Sequence, residues 1–195
     1  MKSTATLALL IAGSIALPVL AQTTATEVQR NTNQQQRIEQ GLQSGALSTK
    51  EAGKLEREQT QVDRMEKNAL KDGALTPAES ARIKSAQNKT SKSIAAQKHD
   101  AQLGNPATKS SQRMQADVQR NVNQQARIEQ GVKSGQLSNK EVASLERGQA
   151  HVNRAEANAA ANGHVGAVEQ ANVQGKENAQ SARVYNKKHN ATTQP

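Results

Sequence analysis

Aliphatic side chains recur along much of the chain at the spacing of three and four residues that is typical of one face of an amphipathic helix. The pattern is clearest after residue 48, and it returns 90 residues later. The two seams consist of Ala52, Leu55, Gln59, Val62, Glu66 and Ala69, and of Val142, Leu145, Gln149, Val152, Glu156 and Ala159. This coiled-coil-like spacing predicts long helices in preference to strands.

The chain also repeats itself. The run VQRNTNQQQRIEQG at 28–41 returns as VQRNVNQQARIEQG at 118–131, and SGALSTKE at 44–51 returns as SGQLSNKE at 134–141. A constant offset indicates a duplication. We predict helical copies at residues 22–100 and 114–190, a flexible linker at 101–113 that contains the helix breaker Gly104-Asn105-Pro106, and a disordered tail at 191–195.

Four segments with the frame Gly-x-aliphatic-x-x-x-Glu predict tight turns between helices. A glycine suits the C-cap of one helix, and Ser48, Thr76 or Ser138 with a glutamate three positions later forms a capping box for the next. Gly166 occupies the capping position of the fourth, degraded turn. The predicted fold is all-α, with two tandem three-helix helical-hairpin units and helices near 24–43, 48–71, 77–98, 114–133, 138–161 and 167–188.

Polar side chains within the seams can be interpreted in two ways. Gln35, Gln59 and Gln87 would specify the register of the helices if they were buried, at a cost in stability. We favour the alternative, in which they lie at a hydrated margin. Glu56 and Glu58 are expected on a helix surface among basic neighbours, where exposed salt bridges are common.

The first 21 residues predict a signal peptide. Lys2 precedes an apolar run from Ala5 to Leu20, and short residues before Ala21 suit a cleavage site. The run is too short and interrupted for a membrane anchor, which needs about 20 apolar residues, and no later segment is apolar for long enough. We therefore predict a mature chain that begins at residue 22, is not transmembrane, and is periplasmic or secreted.

Composition narrows the function. The chain has no Cys, Phe or Trp and one Tyr, and its net charge of +9 becomes +8 when Lys2 is removed. Enzyme signatures such as a nucleophile elbow, a P-loop or a His-Glu-x-x-His motif are missing, so we predict no catalysis. The chain also lacks the set of aromatic side chains on which proteins stack single-stranded nucleic acid, so we predict no nucleic-acid binding. The basic residues are interleaved with acids and favour solubility, although an anionic lipid or polysaccharide is an alternative partner.

One turn resembles a degenerate EF-hand loop. From Asn68 to Glu79, the positions of Asn68, Asp72, Thr76 and Glu79 suit calcium, but Leu70 stands at the third position, where an oxygen ligand is needed. The preferred interpretation is a helix–turn–helix without an ion, and calcium at this loop is the alternative.

The histidines offer a second candidate metal site. His99 and His189 are equivalent residues at the ends of the two copies. If the copies pack with twofold symmetry, this pair would suit a transition metal. The alternative is that both are solvated at the ends of their copies.

The run R-I-E-Q-G-x-x-S-G-x-L-S-x-K-E, the DGALTPAE turn and the Lys-His ending resemble a group of small exported proteins of Gram-negative bacteria that carry one or two such units. Some of these are associated with metal or oxidative stress. The resemblance implies a periplasmic protein that acts by interaction with a protein or envelope partner in a stress response. Ion binding is the alternative function, and adsorption to anionic envelope surfaces is the third.

Overall fold

The computed structural model describes residues 19–190, and within this range the protein is all-α, as predicted. Its six helices are α1 (Val19–Ser44), α2 (Thr49–Leu70), α3 (Pro77–Lys98), α4 (Lys109–Lys133), α5 (Asn139–Ala159) and α6 (Ala167–Lys188). Most of the predicted signal peptide and the predicted tail lie outside the described residues. The predicted cleavage point after Ala21 falls within α1.

The predicted turns are present. Gly45, Gly73, Gly135 and Gly163 all have positive φ angles, between 71° and 97°, as helix-ending glycines require. Capping boxes begin α2, α3 and α5. At the fourth turn Gly166 has no side chain with which to cap α6, and only its backbone N–H donates to Glu169 Oε2, at 2.8 Å.

The two copies pack against each other through equivalent helices. The most extensive contacts join α2 to α5 and α1 to α4, which are equivalent helices of the two copies. Helix α3 covers α1 and α2, and α6 covers α4 and α5. Each copy therefore uses the same surfaces as its partner, which is the pattern of a twofold axis.

Two apolar clusters follow the same symmetry. The first contains Val28, Leu70, Leu75 and Ile83 from copy 1 together with Ile128, Leu137, Leu145 and Val184 from copy 2. The second contains Ile38, Leu47, Leu55 and Ile94 from copy 1 together with Val118, Val165 and Val173 from copy 2. Because both clusters draw on both copies, each of them extends across the interface between the copies.

The connection between the copies is held against the first turn. Gly104 N donates to Gly45 O at 2.8 Å, and a Cβ atom at Gly104 would lie only 2.2 Å from Leu47 O. Thr108 caps α4, so this helix takes in residues 109–113 of the predicted linker. The close contact at Gly104 explains why this position needs a glycine.

No helix within residues 19–190 combines the length and the hydropathy that a membrane span requires.

Candidate cation site in a buried polar layer

A layer of polar side chains separates the two apolar clusters. It consists of Glu56, Gln59, Asp63 and Glu66 on α2 and Glu146, Gln149, Asn153 and Glu156 on α5, and we call it the buried polar layer. Each of these side chains is at most 1% exposed. The expectation of a hydrated margin for the glutamines is therefore wrong, and so is the surface position predicted for Glu56.

These residues are buried because the copies cover each other. Positions 56, 59, 63 and 66 are spaced by three, four and three residues, which places them on one face of α2. Helix α5 packs on that face and presents the equivalent stripe. Full burial of this face depends on a helix about 90 residues away, which the seam of α2 alone does not reveal.

Asp63, Glu66 and Glu146 form the tightest group in the layer, and we call them the Asp63 cluster. One carboxylate oxygen from each lies within 4.8 Å of those from the other two. Asp63 and Glu66 belong to copy 1 and Glu146 to copy 2, so the cluster spans the interface between the copies. It is the only group of three or more acidic or histidine side chains within residues 19–190 that meets this criterion.

Amide groups from the surrounding helices fix the carboxylates in place. Asn31 Nδ2 donates to Glu66 Oε2 at 2.7 Å, and Gln125 Nε2 donates to Glu146 Oε2 at 3.4 Å. Asn153 Nδ2 donates to Asp63 Oδ2 at 2.9 Å. Supporting amides of this kind orient carboxylates at metal sites without neutralising their charge.

Other oxygens in the layer have no partner. Glu146 Oε1 receives no hydrogen bond from any described residue, and neither do the side-chain amides of Gln59 and Gln149 make one. Gln149 lies one turn from Glu146 on the same face of α5. Since a buried polar atom without a partner is costly, these atoms are available to a proton or to a bound ligand.

No basic side chain of residues 19–190 forms an ion pair with the acids of the layer, although the charge of the neighbouring Arg64 acts on Asp63 and partly offsets the rise in its pKa. The ion pairs of residues 19–190 join Lys84 to Glu27, Arg120 to Glu177 and Lys133 to Glu129, and none of them involves a carboxylate of the buried polar layer. A buried carboxylate that stays ionised without a counter-charge costs several kcal/mol. The layer therefore needs either protons or cations.

Burial raises the pKa of every carboxyl group in the layer. It raises the pKa of Glu56 and of Glu146 to about 7. Burial, reinforced by neighbouring carboxylates, holds the pKa of Asp63, Glu66 and Glu156 well above the usual range. In the absence of a cation, these groups retain protons at a pH where exposed acids have lost them.

The donor set fits a hard divalent cation. Three carboxylates, with two oxygens each, are the kind of ligand that calcium and manganese prefer, whereas zinc and copper favour nitrogen or sulfur. Magnesium usually keeps several of its waters, which suits a fully buried site poorly. Ligands from facing helices are the usual way to build such a site inside a helix bundle.

The predicted EF-hand-like loop has a different arrangement. Thr76 N and Oγ1 both donate to Glu79 Oε2, at 3.0 and 2.6 Å, and Asp72 Oδ1 accepts a hydrogen bond from Ala74 N at 3.1 Å. These bonds from Thr76 lower the pKa of Glu79. Asn68 and Glu79 line one shallow surface groove. Both acids of this turn thus accept hydrogen bonds from its backbone. Calcium binding at this loop, the alternative interpretation of the sequence, stays a prediction.

The structure places His99 and His189 at the ends of α3 and α6, which pack against different helices. In each ring Nδ1 lies 2.7 Å from a carbonyl oxygen four residues earlier, that of Ala95 or Tyr185. His189 also stacks on Tyr185 with ring centroids 4.2 Å apart. The transition-metal site at these histidines stays a prediction.

Comparisons with known proteins add no relative: no protein-family model, curated protein or solved structure matches the chain.

Proposed function

We propose that this protein is an exported, non-enzymatic binding protein whose ligand is a hard divalent cation. The observation that carries the proposal is the convergence of Asp63, Glu66 and Glu146 in the interior, with supporting amides and no ion pair to a basic side chain of residues 19–190. The ligand set favours Ca²⁺ or Mn²⁺. Ion binding was the alternative function predicted from the sequence, but at other residues.

The cellular setting belongs to the same proposal. The signal peptide directs the chain to the periplasm or beyond, and the resemblance to proteins associated with metal stress suits a protein that takes up a divalent cation there. Cation binding would join the two copies, because the ligands come from both. Interaction with an envelope partner in a stress response stays a separate prediction.

Thermal unfolding of residues 22–195 tests the proposal. After treatment with a chelator, addition of Ca²⁺ or Mn²⁺ is expected to raise the midpoint, since a ligand at 100 times its Kd stabilises the folded state by about 2.7 kcal/mol. Zn²⁺ is expected to act more weakly. No rise with Ca²⁺, Mn²⁺ or Mg²⁺ would refute the proposal.

Variants locate the site. Glu146→Gln keeps the shape of the side chain, removes its charge and is expected to abolish the cation effect. Glu129→Gln is the matched control, because Glu129 lies outside the buried polar layer and pairs with Lys133. Glu79→Gln and His99→Ala should leave the effect intact; if either abolishes it while Glu146→Gln does not, the ion binds at the loop or at the histidines.

A further inference from the structure

The outer surface of helices α2 and α5 is rich in exposed basic side chains. The two helices pack side by side, and each carries a stripe of bases spaced by seven residues, which is two helical turns. The stripes occupy equivalent positions in the two copies. We call this surface the α2–α5 basic face and define it by three equivalent pairs of exposed residues: Lys50 and Lys140, Arg57 and Arg147, and Arg64 and Arg154.

Acids and bases that alternate along the sequence are separated on this surface. Asp63 precedes Arg64 and Glu146 precedes Arg147 in the sequence, but successive side chains of a helix point about 100° apart. Both acids are at most 1% exposed, whereas both arginines are exposed. Of all the acids on α2 and α5, only Glu58 is not buried, and it is half-buried. The bases of the face therefore point outward while the acids point inward.

The charge of this face is not neutralised by ion pairs. The basic members of the ion pairs within residues 19–190 are Lys84, Arg120 and Lys133, and these lie on α3 and α4. Exposed charge is also unevenly distributed over the molecule, since every exposed side chain of α1 between residues 26 and 44 is uncharged. The α2–α5 basic face is thus a concentrated and unpaired positive surface.

A cavity of about 240 Å³ opens in this face between the two helices. Arg64 and Lys67 of α2 line it together with Arg147 and His151 of α5. Because Arg64 and Arg147 line the same cavity, the stripes of the two helices open to the same side of the molecule. Guanidinium groups donate paired hydrogen bonds to phosphate oxygens. The cavity therefore offers the donors that a phosphate group needs.

The shape and chemistry of the face favour a flat anionic surface as its partner. Two packed helices of 22 and 21 residues give a face about 30 Å long and about 20 Å wide. The exposed large apolar side chains of residues 19–190 are Leu103, Val168 and Tyr185, and none of them lies on α2 or α5. A protein partner calls for an apolar centre, and a single-stranded nucleic acid for stacking aromatics. A bilayer of anionic lipid attracts a basic face through charge alone.

We propose that the α2–α5 basic face docks on an anionic phospholipid bilayer, with a head-group phosphate in the cavity between Arg64 and Arg147. The contact is peripheral, because the face has no apolar side chain to insert. This inference gives named residues to the anionic-surface binding that the net charge predicts. It goes beyond the proposed cation binding and does not depend on it, since the cation ligands lie in the interior.

Vesicle co-sedimentation of the whole mature chain, residues 22–195, tests the docking. Chelator is present so that divalent cations do not bridge protein and lipid. We expect binding to vesicles of equal parts phosphatidylglycerol and phosphatidylcholine, and none to phosphatidylcholine alone. Binding should weaken at least about tenfold as NaCl rises from about 0.05 to about 0.5 M, because salt screens exposed charges.

Charge variants locate the docking surface. Each basic residue near an anionic membrane contributes about fivefold to binding, so Arg64→Glu with Arg147→Glu is expected to weaken it by more than about 25-fold. Lys89→Glu with Lys92→Glu is the matched control, because both lysines are exposed on α3 and the net charge changes equally. The control should lose less than about fivefold. If the first pair does not fold, Arg64→Gln with Arg147→Gln replaces it and should lose about 25-fold.

Several results would overturn the docking surface. Equal losses in the two double variants would show that net charge alone governs adsorption, without a dedicated face. Equal binding to both kinds of vesicle, or binding to neither, would remove anionic lipid as the partner, and inorganic polyphosphate that binds where vesicles do not would replace it with a soluble polyanion. The thermal melt with Ca²⁺ or Mn²⁺ is a separate measurement, so vesicle binding without any cation effect would refute the proposed function and leave this docking surface standing.

Discussion

At the scale of single residues, a buried carboxyl group can be stabilised by a proton, a cation or a basic side chain. Among the described residues, the carboxyl groups of the buried polar layer have no basic side chain within ion-pair distance. Their neighbours are amides, which donate hydrogen bonds and carry no charge. The choice therefore lies between protons and cations, and pH decides it.

In the absence of cations, we expect the protein to lose stability as the pH rises from 5 to 8.5. Burial raises the pKa of Glu56 to about 7 and that of Glu177 to about 8. Each folded pKa exceeds the unfolded value, so between the two values the folded state holds more protons, and each group lowers the stability by up to about 1.4 kcal/mol per pH unit. The contribution of Glu56 levels off above about pH 7 and that of Glu177 above about pH 8. Melts in chelator at several pH values measure the slope.

Glu177→Gln provides the control for this dependence. Copy 1 already carries a glutamine, Gln87, at the equivalent position, so the substitution suits the fold. We expect a shallower decline between pH 7 and 8.5, and added Ca²⁺ should reduce the decline of the unaltered chain. A midpoint that rises steadily from pH 5 to 8.5 in chelator would contradict the ionisation described here.

At the scale of helices, local rules explain where each element begins and ends. Ser138 Oγ accepts a hydrogen bond from the backbone N–H of Glu141, and Glu141 Oε2 accepts one from the backbone N–H of Ser138. The two bonds of this capping box satisfy backbone donors that have no partner within the helix. The nearby bonds from Ser138 and Asn190 help to lower the pKa of Glu141. The box therefore stabilises the start of α5.

Removal of this cap should have a measurable cost. We expect Ser138→Ala to reduce the free energy of unfolding by about 1 kcal/mol, the usual loss for an N-cap. Gly166→Ser is the matched variant at the turn that lacks a side-chain cap, and it should gain a few tenths of a kcal/mol. Urea unfolding measures both. If Ser138→Ala and Gly166→Ser changed the free energy of unfolding by the same amount and in the same direction, side-chain capping would not control the stability of these turns.

The same local rules explain why the helices could be predicted and the cation site could not. Glycine at a helix end and serine three positions before glutamate are short-range signals, and all six helices followed from them and from the spacing of the seams. Burial of Glu56 and Asp63 depends on a helix 90 residues away. The available signal was the polar stripe at 56, 59, 63 and 66, whose glutamates recur in copy 2.

At the scale of the whole molecule, both apolar clusters are shared between the copies, so we expect the two copies to unfold as one unit. Leu47 and Leu137 are equivalent leucines, at most 1% exposed, in different apolar clusters, and each cluster draws on both copies. We expect Leu47→Ala to destabilise the protein by about 2–5 kcal/mol, with a single transition in calorimetry. Leu137→Ala should behave alike. Two separate transitions, with only one of them shifted, would refute the shared core.

The contact between Asp63 and Asn153 also has a consequence for how such a protein evolves. A homodimer of one copy must place the same residue twice on its axis. Two facing aspartates would repel each other, and two asparagines would remove the carboxylate from this position. Once the two copies are joined in one chain, the two equivalent positions can carry different residues. Asp63 can then accept the hydrogen bond that Asn153 donates. Duplication therefore allows substitutions at positions 63 and 153 to be selected independently of each other.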